Sequence, residues 1–213
     1  MANLIFDYDG TLHDCIKIYA PAFRLAYAYL VSKGFAEQAE WTDVQISRWL
    51  GYSARDMWAC FMPDLSEKQK EICNQMVGDE MLRLMQAGQA RLYPNTEYVL
   101  EQLKERGHTL LFLSNCKQDY LQLHREIFGL DRYFSAFYCA EEYGWKPKYE
   151  VFPLIQEQFA GEFVMIGDRE KDMEVARYHG LQSIGCSYGY GDSVELRDAT
   201  VHIDNILEIL NFY

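Results

Sequence analysis

The spacing of apolar residues divides the chain into three parts. A short apolar run at residues 4–6 ends at two acids, which indicates a strand buried on both faces. From Cys15 to about residue 90, apolar residues recur at helical spacing, and no run suggests a strand. From Arg91 onward, continuous apolar runs alternate with helical stretches. The pattern therefore predicts an opening strand, a block of helices, and a second half in which strands and helices alternate.

The helical block is divided by glycine and by residues that favour helix N-termini. Gly34 closes the first predicted helix, and Ser53 fits the N-cap of a short one. The run Ser66-Glu67-Lys68-Gln69 fits a capping box at the start of a long helix. In this block we predict helices over residues 16–33, 41–50, 54–61 and 66 to about 85.

The second half predicts a sheet whose strands are separated by helices. Alternation of this kind produces a parallel sheet with helices on both faces, the doubly wound, Rossmann-like α/β class. We predict strands over residues 109–113, 136–139, 163–166, 183–186 and 201–203. We predict helices over residues 96–106, 118–128, 149–159 and 171–179, and a short one from Asn205. These elements predict two domains. One is an α/β core over residues 1–14 and 91–213, and the other is an inserted all-helical cap over residues 15–90.

Composition narrows the class of protein. The 213 residues are 49% hydrophobic and 15% aromatic, which is enough for a well-packed core. The net charge of −12 argues against nucleic acid or an anionic membrane as a partner. Six cysteines are scattered without a CxxC pair, which is typical of thiols in a reducing compartment. Met1 leads directly into the first strand without room for a signal peptide, and no apolar run reaches membrane-spanning length. We expect a soluble cytoplasmic protein.

Polar residues follow several predicted strands directly. Asp7 and Asp9 end the first strand, where two carboxylates are costly unless a cation or a reaction needs them. Gly10 allows a sharp turn and a close approach to a ligand. Because ligands of parallel sheets bind at the carboxyl ends of the strands, these residues are candidates for a shared site. The other candidates are Thr11, Ser114, Asn115, Lys146, Asp168 and Asp172.

In order and spacing, these clusters resemble the four motifs of the haloacid dehalogenase superfamily. The first motif is Asp7-Tyr8-Asp9-Gly10-Thr11-Leu12, the second Ser114 and the third Lys146. The fourth is Gly167-Asp168-Arg169-Glu170-Lys171-Asp172. The helical block resembles the cap of the branch that contains phosphoglycolate phosphatase and beta-phosphoglucomutase, in which the cap closes over the active site and selects the substrate.

The resemblance implies a role for each motif in phosphoryl transfer. Asp7 would be the nucleophile that forms an aspartyl-phosphate, and Asp9 the general acid and base. We expect carboxylate neighbours to raise the pKa of Asp9, against the opposing effects of a metal and a lysine. Lys146 would hold the nucleophile and a phosphate oxygen, and Ser114 would hydrogen-bond the phosphoryl oxygens.

The resemblance also implies a magnesium site. Its ligands would be the Asp7 carboxylate, the Asp9 backbone carbonyl and the Asp168 carboxylate, all oxygen donors of the kind that Mg²⁺ prefers. Asp172 would orient the site or bind the ion through water, although it could also be an ordinary acid on a helix surface. The residues expected to bind the cofactor and the phosphoryl group around this site are Gly10, Thr11 and Asn115.

Together, these roles predict a Mg²⁺-dependent phosphatase that acts on a small phosphorylated metabolite. Phosphoglycolate, sugar phosphates, nucleoside monophosphates and pyrophosphate are the candidate substrates. A phosphomutase of the beta-phosphoglucomutase type is the alternative enzyme, and a metabolite-binding module on the same fold is the alternative without catalysis. A phosphonatase is disfavoured because the cap offers no Schiff-base lysine signal, and a dehalogenase because Asp9 and Gly10-Thr11 suit phosphoryl transfer. We expect a monomer or a small homo-oligomer.

Residues that could select the substrate are less clearly marked. Arg55 could grip a substrate carboxylate or a second phosphate, or be an ordinary surface arginine. Lys17 and His13 are expected near the entrance, with weaker claims. An aromatic set in the helical block could pack the core of the cap or line an apolar pocket, and the sequence does not separate these options. The set is Trp41, Trp49, Trp58 and Phe61.

Overall fold

A computed structural model describes residues 1–213, which form two compact units. Residues Met1–His13 and Leu92–Tyr213 make up the core unit, and Asp14–Arg91 make up the helical unit. None of the helices combines the length and the apolar character that crossing a membrane requires.

Six parallel strands form the sheet of the core unit, in the order β3-β2-β1-β4-β5-β6. The strands are β1 (Asn3–Phe6), β2 (Thr109–Ser114), β3 (Ala136–Cys139), β4 (Phe163–Gly167), β5 (Gln182–Cys186) and β6 (Val201–Ile203). The first strand lies in the middle of the sheet, where Phe6 is in register with Phe112 of β2 and Ile166 of β4. The predicted α/β class with a parallel sheet is confirmed.

The chain has eight α-helices, four in each unit. They are α1 (Ile16–Ser32), α2 (Asp43–Ser47), α3 (Ala54–Phe61), α4 (Glu67–Gln86), α5 (Thr96–Glu105), α6 (Gln118–Phe128), α7 (Lys148–Gln158) and α8 (Glu170–His179). The second helix is shorter than predicted and starts after Thr42, which exchanges capping hydrogen bonds with Gln45. The predicted C-terminal helix is a 3₁₀-helix, Ile206–Asn211.

Side chains of the central strands alternate between two hydrophobic clusters, one on each face of the sheet. Phe6 and Phe112 belong to one cluster, and Ile5 and Met165 to the other. Because both faces are covered, these strands are apolar at their central positions, which is why they appeared in the sequence as continuous runs. The sheet therefore buries the segment that precedes Asp7 completely.

The helical unit has an aromatic core centred on Phe61. The ring centroid of Phe61 lies 5.3 Å from Trp41, 5.6 Å from Trp49 and 5.9 Å from Trp58. The indole nitrogen of Trp58 donates a hydrogen bond to Asn74 (2.6 Å). Of the two roles left open for these rings, packing within the helical unit is the one that the contacts support.

Candidate active site

Two neighbouring strands bring Asp7 and Asp168 together. The Asp7 amide donates to the Ile166 carbonyl (2.8 Å), and Asp168 follows the end of β4 directly. Asp172 lies in the first turn of α8 and is fully buried. One carboxylate oxygen from each of these three residues lies within 4.8 Å of the others. This acidic cluster, Asp7, Asp168 and Asp172, brings together the predicted carboxylates of the first and fourth motifs.

Glycines make room for the acidic cluster. Gly10 has a φ of +90°, and a Cβ at this position would stand 2.2 Å from the Asp168 Oδ2 atom. A Cβ on Gly189 would stand 2.3 Å from the Asp168 Cβ, and one on Gly167 would stand 2.2 Å from the Asp172 carboxyl carbon. No side chain larger than hydrogen fits at these positions without displacing the carboxylates.

Hydrogen bonds fix both oxygens of Asp168. The Thr11 hydroxyl donates to Oδ1 (3.3 Å), and the Tyr190 amide donates to Oδ2 (2.7 Å). Thr11, predicted to bind the cofactor or phosphoryl group, is fully buried and supports a carboxylate of the cluster. Tyr190 is an additional contact that no motif indicated.

The lysine beside the nucleophile candidate is Lys148 and not the predicted Lys146. The Lys148 Nζ atom lies 2.5 Å from Asp7 Oδ1 and 2.7 Å from Asp172 Oδ1, and the side chain is buried. Lys146 is exposed. Pro147 is the N-cap of α7, so only the lysine that follows the proline lies in the helix. Lys148 therefore occupies the position beside Asp7 at which the sequence predicted Lys146.

Burial and mutual repulsion shift the pKa values of the acidic cluster. Burial and the nearby Asp172 raise the pKa of Asp7 to about 7, although Lys148 opposes the shift. Burial, Asp7 and Asp172 raise the pKa of Asp168 well above its usual range. Burial would lower the pKa of Lys148, but Asp172 and Asp7 together raise it above its usual range, so the ammonium stays charged.

The charges and donors of this cluster fit a hard divalent cation. Three carboxylates share one ammonium group, so when all are ionised the cluster carries excess negative charge in a buried place. All the donor atoms are oxygen, which suits Mg²⁺ better than softer metals. A cation bound to the cluster would lower the raised pKa values by favouring the ionised carboxylates.

Asp9 has different neighbours from Asp7. Its Oδ1 atom accepts a hydrogen bond from the Tyr120 hydroxyl (2.7 Å) and lies 2.7 Å from His13 Nδ1. Burial alone would raise the pKa of Asp9, but the hydrogen bonds and charge of these neighbours bring it below its usual range. The expected rise was wrong because Asp9 faces His13 and Tyr120 and not the carboxylates of the acidic cluster.

His13 is not at an entrance but fully buried. Its ring stacks on Tyr8, with 5.2 Å between centroids, and lies 4.6 Å from the ring of His124. The Tyr8 hydroxyl in turn lies 2.5 Å from His124 Nδ1. Sequence reasoning missed Tyr120 and His124. The signal that could have found them is their spacing of four residues on α6, which places both on one face of a helix that follows Ser114 closely.

Ser114 ends β2 beside the central strand, and Asn115 follows it directly. Ser114 is buried, and Asn115 is half-buried. The register of β2 with β1 places both at the same edge of the sheet as Asp7. Next to them, burial raises the pKa of the Cys116 thiol, and the negative charge of Asp9 adds to the shift. Cys116 is therefore a neutral thiol and not a second nucleophile.

Arg55 and Lys17 belong to the helical unit. Both side chains are exposed, and the Lys17 ammonium lies 3.9 Å from an Asp14 carboxylate oxygen. Their suggested functions in substrate selection stay predictions.

Comparison with known proteins relates this chain to one family of hydrolases. The family model described as haloacid dehalogenase-like hydrolase matches residues 4–186. A phosphoglycolate phosphatase from Vibrio parahaemolyticus is 26% identical over 97% of this chain and 93% of its own length. A 5'-nucleotidase from Pseudomonas aeruginosa is 29% identical over 92% of this chain and 86% of its own length.

Solved structures show the same fold. A predicted phosphoglycolate phosphatase from Haemophilus somnus superposes with a TM-score of 0.82 at 22% identity, covering 100% of this chain and 97% of the other. A Thermotoga maritima structure, whose assignment as a beta-phosphoglucomutase is provisional, has a TM-score of 0.73 at 23% identity and covers 100% and 98%. Because the family match spans most of the sequence, this chain belongs to the haloacid dehalogenase-like hydrolases, as an enzyme of the phosphoric monoester hydrolase type.

Proposed function

We propose that this enzyme is a Mg²⁺-dependent phosphatase that hydrolyses a small phosphorylated metabolite through a phosphorylated Asp7. The observation that carries the proposal is the pairing of buried Asp7 with Lys148 at 2.5 Å, inside a cluster of carboxylates. A buried carboxylate at the end of a central strand, held by one ammonium, is suited to attack phosphorus.

Asp7 supplies the attacking oxygen. Lys148 holds the Oδ1 atom, so we assign the attack to Oδ2. A bond forms between this oxygen and phosphorus while the bond from phosphorus to the ester oxygen breaks. Lys148 keeps its positive charge and stabilises the negative charge that builds up on the phosphoryl oxygens. Ser114 and the Asn115 amide are assigned as donors to those oxygens.

Mg²⁺ would be held by the carboxylates of Asp7 and Asp168 and by the Asp9 backbone carbonyl, with Asp172 orienting the site. When bound, the ion supplies positive charge that offsets the charge of the phosphoryl group. Gly10 and Thr11 keep Asp168 in its position for this role.

Asp9 moves the protons. It protonates the leaving oxygen when the ester bond breaks, and it then accepts a proton from the water that attacks phosphorylated Asp7. The lowered pKa of Asp9 suits the second of these steps better than the first, because the carboxylate is ionised at neutral pH.

The substrate candidates remain those that the sequence suggested. Phosphoglycolate and nucleoside monophosphates come first, because relatives bear the names phosphoglycolate phosphatase and 5'-nucleotidase. Sugar phosphates and pyrophosphate follow. We assign the choice among them to the helical unit, as a cap domain that selects the substrate.

The test is a phosphate-release screen over these esters, with Mg²⁺ and with a chelator. We expect release from at least one ester with Mg²⁺ and none with the chelator. Asp7→Asn should abolish release while circular dichroism shows an intact fold. Release by this variant at the wild-type rate would contradict the nucleophile assignment.

The same screen distinguishes the alternatives. A rearranged sugar phosphate without free phosphate would identify a phosphomutase, the alternative that the Thermotoga maritima structure keeps open. No reaction with any ester would favour a metabolite-binding module.

A further inference from the structure

One oxygen of Asp9 is held from two sides within the core unit. The Tyr120 hydroxyl and His13 Nδ1 both lie 2.7 Å from the same atom, Oδ1. An ionised carboxylate can only accept hydrogen bonds, so His13 must carry a proton on Nδ1. The two donors lie 3.2 Å from each other and restrict rotation of the carboxylate.

Aromatic contacts fix both donors. His13 packs between Tyr8 and His124, at centroid distances of 5.2 and 4.6 Å. The Tyr120 ring lies 4.2 Å from the His124 ring. The Tyr8 hydroxyl, 2.5 Å from His124 Nδ1, ties the loop after β1 to α6. Both hydrogen-bond donors to Asp9 thus belong to a packed cluster of rings. This ring cluster consists of Tyr8, His13, Tyr120 and His124.

A contribution to stability does not explain why the ring cluster contains two histidines. The Nε2 atoms of His13 and His124 are buried without a hydrogen-bond partner. A buried polar group without a partner lowers stability, and an apolar ring of similar size would avoid that loss. A polar ring cluster that is costly and that contacts one catalytic side chain points to a function in orienting that side chain.

We propose that His13 and Tyr120 are positioning residues that hold Asp9 by Oδ1 and leave Oδ2 to take a proton from the water attacking phosphorylated Asp7. This inference rests on the proposed phosphatase function. In the step concerned, a bond forms between the water oxygen and phosphorus, and the bond from phosphorus to the Asp7 oxygen breaks. The water proton moves to Asp9 Oδ2, and phosphate leaves.

The test uses Tyr120→Phe with p-nitrophenyl phosphate and Mg²⁺. This ester has a good leaving group, so formation of phosphorylated Asp7 needs little help from a proton donor. Hydrolysis of that intermediate still needs a well-placed Asp9. We expect kcat to fall about 10-fold or more, KM to fall with it so that kcat/KM changes less than about 3-fold, and a burst of p-nitrophenolate to appear.

His13 is tested by a pair of variants. His13→Asn keeps a donor near the position of Nδ1, whereas His13→Phe keeps a ring and removes the donor. The asparagine variant should retain more kcat than the phenylalanine variant. The matched control is Tyr138→Phe, which removes a hydroxyl that donates to Gln158 (3.1 Å) away from Asp9, and its kcat should match the wild type.

The outcomes separate this inference from the proposed function. If the wild-type enzyme releases phosphate but Tyr120→Phe shows an unchanged or higher kcat, the positioning role is overturned and the phosphatase function stands. An equal fall of kcat and kcat/KM without a burst also overturns it. If the wild-type enzyme releases no phosphate from any ester in the screen, both fail together.

Discussion

The Lys148 ammonium is paired with the Asp7 carboxylate at 2.5 Å, and both side chains are buried. The lysine holds a second carboxylate, that of Asp172, at 2.7 Å. It is therefore the positive centre of the acidic cluster, and removing it would leave two buried carboxylates without their partner.

Replacing Lys148 should abolish most of the activity and destabilise the protein. For Lys148→Met we expect kcat with the best substrate to fall by about 10² or more, because a positive charge near the phosphoryl oxygens is lost. The loss of a buried ion-pair partner should lower the free energy of unfolding by about 3–5 kcal/mol without Mg²⁺, measured by denaturant titration.

The matched control for this change is Lys146→Met. Lys146 is exposed, so kcat and the free energy of unfolding should stay close to wild type. A large loss of activity in Lys146→Met, with little effect of Lys148→Met, would restore the assignment that the motif indicated.

Gly10 should be intolerant of even one methyl group. A Cβ there would stand 2.2 Å from the Asp168 carboxylate, at a φ of +90°. We expect Gly10→Ala to raise the Mg²⁺ concentration needed for half-maximal activity by about 10-fold or more, and to destabilise the protein by more than about 1 kcal/mol. The measurements are a Mg²⁺ titration of phosphate release and chemical denaturation.

Gly34→Ala separates backbone strain from displacement of Asp168. Gly34 also has a positive φ, +74°, but nothing lies within 4 Å of its Cβ position. This variant should lose stability but keep the wild-type Mg²⁺ requirement. Equal Mg²⁺ requirements in the two alanine variants would contradict the function assigned to Gly10.

Buried His124 should make stability depend on pH in the acid range. Burial, with the nearby His13, lowers the pKa of His124 from 6.5 to about 3. Between these values the unfolded chain binds a proton that the folded chain does not. The contribution of His124 is therefore fully present above pH 6.5 and is lost as the pH falls toward 3, at about 1.4 kcal/mol per pH unit.

This dependence is measured by urea denaturation between pH 4 and pH 8, comparing wild type with His124→Phe. Below pH 6.5, the free energy of unfolding of the variant should fall less steeply with falling pH than that of the wild type. The difference in slope should correspond to about one proton. Val44→Ala, a change at an exposed position without a titratable group, should keep the wild-type slope. Parallel curves for wild type and His124→Phe would contradict the prediction.

Mg²⁺ should stabilise the folded protein through Asp168. A ligand that binds only the folded state raises stability by about 2.7 kcal/mol at 100 times its Kd. We expect Mg²⁺ to raise the Tm of the wild type, and Asp168→Asn to reduce that increase sharply because one charged ligand is lost. The readout is thermal unfolding with Mg²⁺ and with a chelator, and an undiminished shift in Asp168→Asn would contradict the assigned ligand set.

Strands and their terminal acids were predictable because the physical demands on them are local. A strand buried on both faces must be apolar throughout, so the segment before Asp7 was visible as a run of apolar residues. Paired acids after such a run have little structural purpose, which marked Asp7 and Asp9. The strand after which Asp168 stands was visible for the same reason.

Positions that depend on distant contacts were not predictable in this way. Two lysines flank Pro147, and only the start of α7 decides which one reaches Asp7. The pKa of Asp9 depends on burial and on contacts with His13 and Tyr120, and Tyr120 is 111 residues away along the chain. His13 was expected near the entrance because its buried partner His124 could not be identified from the sequence.

The position of β1 between β2 and β4 has a consequence for biosynthesis. Thr11 and Asp168, which share a hydrogen bond, are 157 residues apart, and Asp7 and Lys148 are 141 residues apart. During synthesis, β1 can therefore pair with β4 only after residues 163–167 have left the ribosome. Contacts of such long range make folding slow, so we expect a nascent chain to assemble the acidic cluster only after β4 and the start of α8 have been synthesised.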